Sequence, residues 1–215
     1  MRKTENLSNR TGVKLFLIGA MCLLFAGFAW SGKNSPAGDD QAVRAAAERE
    51  PNPELAKAAF SEAFKVFASP RCANCHPAGD VPTQGDEMAL HAQGVTRGAD
   101  GKGKYGMKCA TCHQSENLEG DHMPPGVSTG WHMPPADMKM VFQGLTAGQL
   151  CRQLKDPKMN GGRKTLEEAI EHLEKDPLVH WGWKPGNGRT TPPLSYEEFM
   201  KNIHEWVENG GDCPE

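Results

Sequence analysis

Two five-residue units share one pattern: Cys72-Ala-Asn-Cys75-His76 and Cys109-Ala-Thr-Cys112-His113. Two thiols three positions apart can add to the two vinyl groups of one haem and form two thioether bonds. The histidine that follows at once is then held beneath the macrocycle, where its imidazole binds iron axially. Cys-x-x-Cys-His is the signature of c-type haem attachment, and two copies imply two covalent haems. A zinc site can use Cys-x-x-Cys pairs but does not require a histidine directly after each. A thioredoxin-like redox pair is expected near a βαβ pattern, which the chain lacks. Two structural disulfides are the plain alternative.

Each iron has a further axial position. A methionine there favours a higher reduction potential than a second histidine, and an open position permits ligand chemistry. Three side chains compete for the two places. His91 lies between the attachment units with little other reason to be there. His132 belongs to the loop "GDHMPPGVSTGWHMPPADMKM", which writes His-Met-Pro-Pro twice, and Trp131 beside it suits packing on a porphyrin edge. Met140 ends the same loop. Met123 and Met133 read as residues that pack against a ring. His172 and His204 fall on the polar sides of helices and read as solvated, and His180 as packed in an aromatic turn.

The elements that must position these groups are helical. "NPELAKAAFSEAFKVFASP" reads as a helix capped by Asn52, started by Pro53 and stopped by Pro70, with Phe60, Phe64 and Phe67 on one face. Residues 71–144 are rich in Gly and Pro, short of periodicity and long for a compact domain without regular structure. Two haems, as large apolar plates, would supply the interior that this stretch lacks. "LTAGQLCRQLK" reads as a short helix. "TLEEAIEHLEK" carries a capping box of Thr165 with Glu168 and sets Leu166, Ile170 and Leu173 on one side. "SYEEFMKNIHEWVENGG" repeats the device with Ser195 and Glu198 and buries Phe199, Ile203, Trp206 and Val207. Little reads as strand. The expected class is mainly α with long loops and C-terminal helices, a c-type cytochrome-like fold with the haems forming much of the core.

At the N-terminus, Arg2, Lys3, Arg10 and Lys14 precede an uncharged run from Leu15 to Trp30, the pattern of a secretory signal. That run of 16 residues is shorter than the roughly 20 that comfortably span a bilayer. Cleavage is therefore favoured, with an inner-membrane anchor through residues 15–30 as the alternative. The expected organisation is a signal or anchor over 1–31, a linker over 32–52 and one dihaem domain over 53–215. Export implies the periplasm, an oxidising compartment in which Cys151 and Cys213 are expected to pair. The whole chain carries −3 and residues 1–31 carry +3, which leaves −6 for the remainder. That acidity argues against nucleic acid and against anionic lipid as partners.

Two resemblances add to this reading. "KMVFQGL", residues 139–145, resembles the ligand-methionine segment of mitochondrial-type cytochrome c, and the resemblance implicates Met140. From about Phe60 to Pro214 the chain resembles a group of bacterial exported haem proteins labelled as a subunit of an isoquinoline 1-oxidoreductase-type system. The residues that carry this likeness are "GWHMPPADMKMVFQG", "LCRQLKDPKMNGG", "DPLVHWGWKPGNGRTTPP" and "SYEEFMKNIHEWVENGGDCP". The label implies an electron-transfer partner to a molybdenum hydroxylase.

The function expected is therefore a periplasmic dihaem cytochrome that relays single electrons between redox proteins, such as a molybdenum hydroxylase or another cytochrome. It is not expected to be an enzyme. One rival is a small dihaem peroxidase, which needs an open haem site with acid–base groups nearby. Another is a copper-binding protein built on the His-Met loop, since Cu(I) favours thioether and imidazole.

Overall fold

Asn52 opens the first helix of the structure, a computed structural model that describes residues 50–215. The expected signal segment and most of the linker lie outside the described residues. The Asn52 side chain accepts from the backbone N–H groups of Glu54 and Leu55, and helix α1 runs Pro53–Phe67. It ends three residues before Pro70, which starts a separate single turn, α2 (Pro70–Ala73). Phe60 and Phe67 are buried, while Phe64 is half-buried at the edge of the core.

The Gly- and Pro-rich stretch holds two antiparallel ladders of two residues per strand. One pairs β1 (Thr83–Gln84) with β2 (Ala89–Leu90), the other β3 (Gly103–Lys104) with β4 (Met107–Lys108). A single 3₁₀ turn follows at Cys109–Thr111. Backbone polar groups here bond mostly between loops, and one buried arginine ties several of them. Arg97 is 1 % exposed. Its guanidinium donates to the carbonyls of Pro134 (2.6 Å) and Gly79 (3.0 Å) and lies 3.5 Å from an Asp80 carboxylate oxygen.

The last third is helical: α3 (Ala147–Lys155), α4 (Leu166–Lys175), α5 (Pro177–Trp181) and α6 (Tyr196–Glu208). Thr146 with Gln149, and Ser195 with Glu198, form complete capping boxes. Thr165 caps α4 through the Glu168 N–H, but the Glu168 carboxylate accepts from Lys164 N at 2.7 Å instead of from Thr165. The expected box at this end is thus half made. The core joins α1 to α6: Phe60 lies against Trp206 with ring centres 4.8 Å apart, and Phe67 meets Phe199 edge-on at 5.2 Å. Cys151 in α3 and Cys213 near the C-terminus are joined by a disulfide, with Cα atoms 5.5 Å apart. The described protein is mainly helical with little sheet, and none of its helices is long and apolar enough to cross a membrane.

None of the residues of helices α4 and α5 is fully buried, and Leu166, Ile170 and Leu173 lie on one side of α4 as the spacing requires. The apolar side of α4 packs at the edge of the core, and both helices border a cavity of about 500 Å³.

Candidate haem-attachment sites

The first Cys-x-x-Cys-His unit occupies the helical turn begun by Pro70, and His76 closes it with its N–H on the Cys72 carbonyl at 3.2 Å. Such a turn places both thiols and the imidazole on one short arc. Low-dielectric surroundings push the Cys72 thiol up to about 12 and Cys75 up to about 11. Desolvation likewise lowers His76 to about 4, so its ring is neutral at physiological pH, the form that binds metals.

His76 is clamped on two sides. Its Nδ1 lies 2.7 Å from the Met140 carbonyl, to which it donates, and the Phe142 ring stacks on it at 3.9 Å and 8°. The carbonyl of His76 in turn accepts from the backbone of Phe142 (2.9 Å) and Gln143 (3.2 Å). Met140 adopts φ 46°, an uncommon conformation for a side-chain-bearing residue. With Nδ1 engaged as a donor, Nε2 is left with its lone pair for a metal. Histidine ligands are generally oriented in this way by the bond of the second nitrogen.

The second unit repeats the arrangement with different parts. His113 donates its N–H to the Cys109 carbonyl at 2.9 Å, and its Nδ1 lies 2.7 Å from the Pro125 carbonyl. Trp131 stacks on the His113 ring at 4.9 Å and 4°, and is itself braced edge-on by Trp181 at 4.8 Å. Desolvation again lowers the His113 pKa. Cys109 lies near enough to act on the Cys75 thiol and raise it, so the two units are neighbours.

The structure distributes the expected axial candidates unequally. His91 faces the second unit: its ring centre is 6.3 Å from that of His113. Two imidazoles bound trans to one metal at about 2 Å each have centres roughly 6 Å apart. His91 Nδ1 is buried and bonded to nothing among the described residues. His132 borders the cavity beside the first unit and bonds through Nδ1 to the Gly130 carbonyl at 3.0 Å.

Met140 also borders that cavity, but its carbonyl stands behind His76. Met140 therefore meets His76 through its backbone carbonyl, on the Nδ1 side of the ring. Its sulfur lies 4.0 Å from Arg163 Nη1.

The doubled His-Met-Pro-Pro acts through its main chain. Pro125 of the first copy receives His113, while Pro134 of the second receives Arg97. Among the six histidines outside the units, His180 packs on Tyr196 with ring centres 4.8 Å apart, and half-buried His204 pairs with Glu174. His172 borders the cavity, which its position on the polar side of a helix did not foretell.

The residues fit covalent haem by three criteria. Each attachment histidine has its Nδ1 fixed and its Nε2 available, and each lies flat against an aromatic ring. An apolar cavity of about 500 Å³ adjoins the first unit, within the usual range for ligand sites. Arg71, 5 % exposed at the cavity wall, has its Nε bonded to nothing among the described residues, a donor suited to a carboxylate. No three His, Cys, Asp or Glu side chains converge as the ligands of a separate metal ion among the described residues. Compared with protein-family models, curated proteins and solved structures, the chain matches none.

Proposed function

We propose that this protein is a periplasmic dihaem c-type cytochrome that relays single electrons between redox proteins. The observation that carries the reading is the duplicated histidine setting. Two Cys-x-x-Cys-His units with different neighbours both place Nδ1 2.7 Å from a loop carbonyl and set an aromatic plane against the ring. A structural disulfide or a solvated loop has no use for that arrangement. It orients an imidazole toward a metal in the way second-shell partners do.

In this reading Cys72 and Cys75 anchor one haem with His76 on its iron, and Cys109 and Cys112 anchor the other with His113. His91 completes the second iron. Bound haem would supply a one-electron iron couple whose potential is set by axial ligands and burial. The chain's own part is to fix the two imidazoles, keep water from the first site with the walls of α4, α5 and α6, and hold the two units side by side. The export-type N-terminus supports a periplasmic location, and the net acidity of the remainder favours a partner with a basic docking face. A molybdenum hydroxylase or another cytochrome is the class of partner the sequence likeness suggests.

The test is a haem count on purified protein from a host that attaches c-type haem. Two covalent haems per chain, reducible and reoxidisable without turnover of hydrogen peroxide, are expected. A chain without covalent haem overturns the proposal, and peroxide turnover with an open iron site would move it to the peroxidases. Stoichiometric copper after both irons are counted would move it to copper binding.

A further inference from the structure

We propose that His172 is the second axial ligand of the haem anchored at Cys72 and Cys75, held in place by Asp176; the inference rests on the dihaem reading. His172 and Asp176 both border the cavity that His76, Cys72 and Cys75 border. His172 Nδ1 lies 3.3 Å from Asp176 Oδ2, which leaves Nε2 as the nitrogen available to a metal. A carboxylate on the far nitrogen of a ligating histidine fixes its ring and raises its basicity. Asp176 is itself fixed, because its other oxygen accepts from the Leu178 N–H at 2.8 Å as the N-cap of α5.

The position on α4 agrees with this role. His172 is one residue before Leu173 and two after Ile170, at the margin of the face that borders the cavity, and its side chain is one-third exposed. Met140 meets His76 through its backbone carbonyl, and His132, which also borders the cavity with its Nδ1 on a carbonyl, is the competing imidazole that the H132A variant tests. With His172 on the first iron and His91 on the second, both haems are bis-histidine. The pair then has lower potentials than a methionine-ligated cytochrome.

The experiment uses the full chain with both haems attached, in wild type and in the variants H172A, H172M and H132A. Oxidised wild type is expected to show two low-spin irons and no far-red thioether-to-iron band. H172A is expected to keep two haems and convert one iron of two to high spin, reversed by added imidazole. H172M is expected to gain the far-red band and a raised potential on one haem, and it carries the test if H172A does not accumulate. H132A is expected to keep the wild-type spectrum. A wild-type far-red band, an H172M spectrum equal to wild type, or loss of the low-spin state in H132A overturns the assignment while leaving the dihaem reading intact. Absence of covalent haem from wild type overturns both.

Discussion

His91 and His113 illustrate how much rests on single side chains. Their ring centres are 6.3 Å apart although their positions in the chain are 22 residues apart. His91→Ala should leave two haems attached and render one iron high-spin, read by electron paramagnetic resonance, with imidazole restoring the low-spin signal. No change in spin state would remove His91 from the site. Arg97 makes the opposite kind of contribution, because it touches no candidate ligand and instead satisfies the carbonyls of Pro134 and Gly79. Arg97→Ala leaves those acceptors and a side-chain-sized void inside the loops, for an expected loss of about 3 kcal/mol. A urea midpoint within error of wild type would refute that estimate. The Cys-x-x-Cys-His residues were legible in the sequence because their chemistry depends on local spacing. Arg97 was not, since a lone arginine in a glycine-rich loop carries no periodic signal. The two carbonyl partners, Met140 and Pro125, were equally hidden, because a main-chain acceptor leaves no mark in residue type.

At the level of elements, three helix starts are legible: α1, α4 and α6 begin where Asn52, Thr165 and Ser195 accept their first N–H groups, while the Thr146–Gln149 box of α3 was not expected. The box at Ser195 begins the helix whose Phe199, Ile203 and Trp206 fill the core. Ser195→Ala should therefore lower stability by about 1 kcal/mol, measured by denaturant unfolding with the haem content held equal. A loss several times larger would mean that Ser195 does more than cap. Helix α5 is not legible as a helix, because its five residues are too few for a period and its sequence, Pro-Leu-Val-His-Trp, looks like a turn. Its start is nonetheless written in Asp176-Pro177, an N-cap followed by proline at the first position. The role of α4 was hidden for another reason. The spacing puts its apolar residues on one side, and sequence alone does not say that such a side also borders a cavity.

The described chain brings one of its ends onto the other: α1 packs on α6, and the loops that carry both attachment units come between them in sequence only. The mainly helical class was legible, as was the shortage of regular structure over residues 71–144. The placement of that stretch was not, because its hydrogen bonds run between loops far apart in sequence, such as His76 to Met140. The disulfide closes a loop with a sequence separation of 62. A loop of that size stabilises by about 4 kcal/mol in the chain-entropy account. The double variant C151A/C213A should show that loss as a lower urea midpoint with both haems still attached. An unchanged midpoint would show that packing of the C-terminus against α3 suffices without it.

That same bond sets how the molecule carries force. Helices α4, α5 and α6 all lie between Cys151 and Cys213, so one side of the cavity wall sits inside a covalent ring. Tension applied between the two ends of the chain would cross at the sulfur atoms and bypass that side. The segment that shelters the first site is thus mechanically slack, and a pull that strips α1 from its neighbours would leave that ring closed.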